Sequence, residues 1–437
     1  MNPGVERVHQ DDTRPRERRS RSALVSAGRA PTSSRRSRTI ALTVLSSLVS
    51  APLFAQTEDR VGIPVGEATA YPSIRVDYLA NDNVFVQPED AVEGSSVLVS
   101  PGVELVADRR QLTVRGIYAG EFARGSESIL EHADHTLRLE LDAEVDKRRR
   151  PSAFVAYRRD HQRIGFDLTR GLAVGLNAPV VFDQFDVGGR FRYGVVDARG
   201  NVEGGVTYRS RRYASLDSLT DGRDFTLLRP YGLFSYRLSG DTRALAEVRY
   251  VAIAREDGRN DRGELSVFAG AEFAATGRFR GEARVGATRA SYDNEARDDV
   301  TLLAASVDLS YLLREYATLT LMVDRELDDS AIQESDDGTG EQAITDTIRL
   351  GWLHEWSSRV SHAAFVERSS VTQECPDGDS STIEGGLDLN VVVRRWLSFG
   401  ATAGMQSRDG EACVGGEAGN SLDYERRIVG AYVRMTL

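Results

Sequence analysis

The sequence predicts an all-β fold, a transmembrane antiparallel up-and-down β-barrel of about 18 strands, with about 16 as the second choice. Three observations predict it. From about Tyr71 to the last residue, apolar and polar side chains alternate with period two in short runs. Turn residues separate the runs, and the separators are short and long in alternation. No segment beyond the N-terminal leader reaches about 18 consecutive apolar residues, which excludes spanning helices. Spanning strands remain, because they are apolar only at every second position.

The clearest run is 136–146. Thr136, Arg138, Glu140, Asp142, Glu144 and Asp146 share one face of a strand; Leu137, Leu139, Leu141, Ala143 and Val145 share the other. In 278–288, Arg278, Arg280, Glu282, Arg284 and Thr288 oppose Phe279, Ala283, Val285 and Ala287. In 242–250, Ala244, Ala246, Val248 and Tyr250 oppose Arg243, Glu247 and Arg249. An Arg at the lipid midplane costs about 2–4 kcal/mol, so the charged faces are assigned to the lumen.

In chain order, Arg35-Arg36-Ser37-Arg38 precedes an apolar stretch, 39–50, and then Ala51-Pro52-Leu53-Phe54-Ala55-Gln56. That order reads as a signal peptide over 1–55, cleaved after Ala55, with a long Arg-rich leading region; a single anchoring helix is the alternative. Residues 56–72 are polar with Gly and Pro and are expected to form a short periplasmic lead-in, leaving 73–437 as the barrel. Short turns are expected at 107–110, 146–151, 197–200, 238–241, 276–278, 313–316, 355–358 and 394–396. Long loops are expected at 81–94, 123–133, 164–180, 214–222, 255–262, 292–297, 328–341, 372–380 and 408–421. Tyr118, Phe122, Tyr208, Tyr213, Trp352, Trp356 and Trp396 lie near strand ends and suit interfacial girdles, with ordinary turn packing as the alternative. The last strand, from Tyr424 to Leu437, is expected to pair with the first.

The net charge of −11 conceals an asymmetry. Residues 1–38 carry ten of the 55 basic and four of the 66 acidic residues, so 45 and 62 remain beyond them, a net of −17. An acidic mature chain argues against nucleic acid as a partner.

The segment Pro72-Ser73-Ile74-Arg75-Val76-Asp77-Tyr78-Leu79-Ala80-Asn81-Asp82-Asn83-Val84-Phe85 resembles the opening of a family of outer-membrane β-barrel porins, in which a Tyr precedes an Asp-Asn pair. Tyr78, Asp82 and Asn83 match, and the resemblance extends over about 73–437. Members are often associated with exopolysaccharide or capsule gene clusters, so the resemblance implies a porin-like passive pore linked to exopolysaccharide export. It carries no catalytic residues.

Arg190, Arg192, Arg209, Arg211, Arg243, Arg249, Arg278, Arg280 and Arg284 are the candidate lumen arginines, with Glu140, Asp142 and Glu144 as an acidic patch. Such a wall guides an acidic glycan, since guanidinium groups pair with carboxylates. Glu203, Glu247, Glu264, Glu272 and Glu282 share it, so cross-strand ion pairs bracing the wall are the competing reading. Asn81-Asp82-Asn83, Asp328-Asp329 and Asp336-Asp337 offer loop oxygens to calcium, but solvated loop acids explain them equally. His132 and His135 flank Asp134 in an expected loop and read as exposed polarity. No Gly-x-Ser-x-Gly and no paired-cysteine spacing occurs, so neither an enzyme, a metal site nor a cofactor is expected. Cys375 and Cys413 fall in the last two long loops and suit a disulfide; two free thiols are the alternative. The expected surroundings are the Gram-negative outer membrane, with lipid, lipopolysaccharide and the barrel assembly machinery as partners and an acidic polysaccharide or small solute as cargo. A structural or adhesive barrel with a plugged lumen and exposed acidic loops is the alternative.

Overall fold

The computed structural model describes residues 61–437 apart from 163, 165–175, 196–197, 217–219, 241, 257, 259–260, 274–276, 295–297, 329–342, 374–378, 415–416 and 422. It contains strands β1 (Ile63–Val65), β2 (Ala68–Asn81), β3 (Gly94–Arg109), β4 (Leu112–Gly125), β5 (His132–Ala143), β6 (Arg149–His161) and β7 (Val181–Tyr193). Then follow β8 (Gly200–Tyr213), β9 (Phe225–Ser239), β10 (Thr242–Arg255), β11 (Arg262–Phe273), β12 (Phe279–Tyr292), β13 (Val300–Arg314) and β14 (Ala317–Asp328). The chain ends with β15 (Ala343–Ser357), β16 (Val360–Gln373), β17 (Ser380–Arg394), β18 (Leu397–Val414), β19 (Glu417–Ser421) and β20 (Tyr424–Thr436).

Each strand from β2 to β18 pairs antiparallel with the next, β18 pairs with β20, and β20 returns to β2, which closes an eighteen-stranded barrel. Closure satisfies every edge N–H and C=O, the condition for backbone to lie in lipid. Among the described residues, the strand ends place the eight short turns, and the long connections other than 408–421, where the alternation of separators put them. No helix among the described residues is long and apolar enough to cross a membrane.

Two stretches differ from expectation. The stretch 408–421 is not loop throughout: β18 runs on to Val414 and turns back into β19, with Glu411 paired to Ser421 and Val414 to Glu417. A hairpin past the lipid needs only its ladder, so its polar sequence hides it. At the other terminus β1 folds back on β2, and β2 starts at Ala68, inside the stretch read as lead-in.

The barrel is inside-out relative to a soluble protein. Val267 (56% exposed), Leu350 (58%) and Leu303 (64%) stand outward, while Arg75 (2%) and Asp77 (1%) are buried against the inner wall. The charged faces read from the sequence are the lumen faces. Outward arginines collect at the long-loop ends: Arg159 near Asp183, Arg289 on Asp299 and Arg325 on Asp346. Trp352, Trp356 and Trp396 stand outward at the short-turn ends. Tyr118, Phe122 and Tyr208 also face outward. Tyr213 does not; it turns inward, edge-on to Phe182, and its hydroxyl accepts from Gln162 Nε2 at 3.1 Å.

The seam between β2 and β20 carries a side-chain latch at its long-loop end. The ladder runs from Ser73↔Thr436 to Asn81↔Ile428. Beyond it, the Asp82 N–H donates to the Arg427 carbonyl at 3.2 Å, and Asp82 Oδ1 accepts from the Arg427 N–H at 2.6 Å. Asn83 Nδ2 donates to the carbonyls of Gln87 (2.7 Å) and Glu425 (2.9 Å), and its Oδ1 accepts from the Gln87 N–H at 2.9 Å. The Asp-Asn pair is thus a clamp on barrel closure, made by side-chain bonds to backbone.

Candidate functional site

The candidate site is the lumen wall. Period-two geometry places residues i and i+2 of a strand on the same face, so Arg-x-acid and acid-x-Arg sequences become ion pairs on the wall. Arg75 Nη2 lies 2.6 Å from Asp77 Oδ1, Arg138 Nε 2.7 Å from Glu140 Oε1, Arg249 Nη2 2.7 Å from Glu247 Oε1 and Arg284 Nη2 2.8 Å from Glu282 Oε1. Residues directly opposite across a ladder add a second set. Arg192 Nε donates to Glu203 at 2.8 Å, Arg209 Nε to Asp186 at 2.7 Å and Arg349 Nη1 to Glu367 at 3.2 Å.

Relays link these pairs around the wall. Arg211 donates to Gln184 Oε1 at 2.8 Å, and Gln184 Nε2 donates to Asp186. Arg426 Nη2 donates to Gln406 Oε1 at 2.6 Å, and Gln406 Nε2 to Glu384 at 3.4 Å, across three adjacent strands. Arg284 also reaches Glu247, crossing β11 above Gly270. A Cβ at Gly270 would meet the Ala283 carbonyl and the Arg284 side chain, so that crossing needs glycine there.

A repeated stack sets the relief of the wall. The Phe154 ring lies over Gly188 on the next strand, and the Arg138 guanidinium lies 4.2 Å from the ring centroid. Gly400, Tyr432 and Arg75 repeat the pattern at the seam, with Arg75 3.8 Å from the ring. Gly286, Phe268 and Arg249 repeat it with a looser 5.4 Å contact. A ring laid flat on glycine, with a guanidinium flat on the ring, gains stacking and cation–π attraction without projecting into the lumen.

The expected site residues divide as follows. Arg192, Arg209, Arg249 and Arg284 lie on the wall in ion pairs. Arg190 bonds Ser152 at 3.1 Å and stands 4.0 Å from Asp142. Glu140 takes both Arg138 and Arg115. Arg243, the second residue of β10, is on the inward face, beside Asn201. Glu144 and Arg278 lie one residue outside β5 and β12, where the Glu144 N–H donates to the Gln111 carbonyl at 2.8 Å and the Arg278 carbonyl accepts from the Leu312 N–H at 2.6 Å. Arg280 is inward but exposed at the short-turn end. Of the loop oxygens considered for calcium, Asp82 Oδ1 and Asn83 Oδ1 accept within the seam latch and Asn81 Oδ1 accepts from the Asn83 N–H at 3.0 Å, while 329 and 336–337 lie outside the described residues. So does Cys375, and with it the disulfide to Cys413.

The sequence reading missed Arg229, which turns inward on β9 between β8 and β10. It lies between Arg209 and Arg249 of the two neighbouring strands. Its buried Nε has no hydrogen-bond partner among the described residues. The isolated Arg-Pro within β9 gave no alternation signal to mark it.

Comparison with solved structures finds matches at low identity. Pseudomonas aeruginosa OccK2 (OpdF) in complex with glucuronate is 12% identical, with a TM-score of 0.48 over 85% of this chain and 97% of that one. Pseudomonas aeruginosa OpdQ is 9% identical, with a TM-score of 0.48 over 85% and 99%. The copper transporter OprC is 11% identical, with a TM-score of 0.43 over 86% and 81%. No curated protein matches. The profile of one family covers nearly all of the described barrel, matching residues 57–435, and the chain belongs to that family, putative beta-barrel porin 2.

Proposed function

We propose that the protein is a passive, non-enzymatic pore of the Gram-negative outer membrane that admits anionic solutes, an acidic polysaccharide among them. The observation that carries this reading is the basic row Arg209, Arg229 and Arg249 on three adjacent inward strand faces: the outer two hold Asp186 and Glu247, and Arg229 between them has a buried Nε with no hydrogen-bond partner among the described residues. A fixed row of guanidinium groups attracts carboxylates and repels cations. Family membership supports the porin-like part. The long-loop ends, with their outward arginines, are assigned to the lipopolysaccharide leaflet, and the tryptophan-bearing ends to the periplasmic side.

Planar-bilayer recording tests the proposal. Purified protein is expected to give stepwise conductance, with a reversal potential in a KCl gradient that favours chloride. Arg229→Glu is expected to move that potential toward potassium. Unchanged selectivity would remove the anionic assignment.

One observation favours a second reading, a structural barrel with a filled lumen: inward Arg75, Gln184 and Glu384 are at most 2% exposed. A silent protein in the same recording would establish that reading over the pore.

A further inference from the structure

We propose that His132, Asp134 and His161 form a divalent transition-metal site, for zinc or copper(II), on the lumen side of the long-loop rim. The three donors come from the start of β5 and the end of β6, and their ligating atoms lie within 4.8 Å of one another. The imidazole rings of His132 and His161 stack at 4.0 Å between centroids. Asp134 Oδ2 lies 2.8 Å from His161 Nδ1 and 3.8 Å from His132 Nε2. Glu121, opposite Asp134 across the β4–β5 ladder, stands outside this group of three but places Oε1 3.0 Å from His132 Nε2.

Two features point to a cation rather than to loop polarity. The first is His132, whose two ring nitrogens both face acceptors. Nδ1 meets the Leu130 carbonyl at 3.2 Å and Nε2 meets Glu121. A neutral imidazole has one N–H and satisfies only one of them. A second ring proton or a metal at Nε2, with the Nδ1–H held by the carbonyl, resolves this arrangement. A backbone carbonyl on the far nitrogen is also the usual orienting contact of a metal-binding histidine. The second feature is the pairing of imidazole with carboxylate. Tetrahedral zinc holds such ligands at about 2.0–2.2 Å, which puts neighbouring donors about 3.3 Å apart. Small side-chain rotations reach that geometry from the present separations. The mixed nitrogen and oxygen set suits zinc and copper(II) and disfavours calcium and magnesium, which prefer oxygen alone. The side chains of His132, Asp134 and His161 are 10%, 15% and 20% exposed, so the site is shielded yet open to ions.

The test uses the full barrel purified in detergent and stripped with a chelator. Titration with zinc alone, followed by calorimetry, is expected to show one saturable equivalent. His161→Gln and Asp134→Asn are each expected to weaken it by roughly tenfold or more. The double variant His354→Gln/His362→Gln, which alters the only other contacting histidine pair among the described residues, is expected to leave it unchanged. Heat-modifiable gel migration confirms that each variant is folded. Copper(II) in place of zinc reports its ligands without any substitution: its paramagnetic resonance spectrum is expected to show coupling to two imidazole nitrogens. Absence of stoichiometric zinc binding, an unchanged isotherm in folded His161→Gln, or a copper spectrum without nitrogen coupling would each overturn the proposal.

Discussion

Asn83 is the residue whose loss is expected to show most directly how the barrel is held shut. Its side chain is buried and engages three backbone groups on two segments of the seam. Removing one partner of a buried hydrogen bond strands the other at about 1–3 kcal/mol. Asn83→Ala is therefore expected to lose at least that much in urea unfolding from vesicles, and Asn83→Asp to recover only part of it, since a carboxylate cannot donate to the Glu425 carbonyl. A second residue, Asp146 in the β5–β6 turn, governs acid behaviour. The backbone N–H of Arg148, then the guanidinium and N–H of Arg149, hold its carboxyl below the usual aspartate range. A depressed carboxylate stabilises the folded turn above the unfolded value, and that contribution fades as pH falls through the folded value. A carbon-detected titration is expected to place the Asp146 midpoint below that of an unstructured aspartate, and Arg149→Ala to raise it. The Asp-Asn motif was legible as a signature in the sequence, but its role was not. The latch joins residues more than 340 positions apart and exists only once the seam has closed.

At the scale of the strand, the stack of glycine, ring and guanidinium makes glycine a packing element. At Gly400 a Cβ would fall on the Tyr432 ring, which in turn carries Arg75. Gly400→Val is expected to displace the ring and destabilise the barrel by about 1–3 kcal/mol, the usual range for overpacking. Gly116 faces only ordinary contact with Leu105, so Gly116→Ala is expected to be neutral or slightly stabilising by the same unfolding assay. Elements of this kind were unevenly visible beforehand. Turn positions and strand faces follow from period two and from separator lengths, which are local. The β18–β19 hairpin escaped because it projects past the lipid and needs no apolar face. The inward turn of Tyr213 escaped because its parity is fixed by Arg211, whereas its ring alone suggested an interfacial position. The histidine cluster escaped because His132 and His161 meet only through the β5–β6 ladder, which the pairing His135↔Arg159 fixes.

For the molecule as a whole, the decisive claim is the inversion of inside and outside, and neighbouring residues on two paired strands test it. Leu350 lies in the middle of β15, 58% exposed and facing outward, next to Arg349, which faces the lumen and pairs with Glu367. Thr320 on β14 pairs with Gly351 and faces the lumen with an exposed side chain. In a water-soluble sheet, arginine at either exposed position would change stability by no more than about 0.5 kcal/mol. In a barrel the two positions separate. Leu350→Arg drives a guanidinium into hydrocarbon and is expected to cost about 2–4 kcal/mol, while Thr320→Arg meets lumen water and stays within about 0.5 kcal/mol. Urea unfolding of both variants from phospholipid vesicles measures the difference. Repetition in bilayers of shorter acyl chains moves the hydrocarbon boundary toward Leu350, so the cost of its arginine is expected to shrink there while that of Thr320→Arg stays constant. Equal effects at the two positions would mean that both faces meet the same solvent, and the assignment of lipid to one and water to the other would fail.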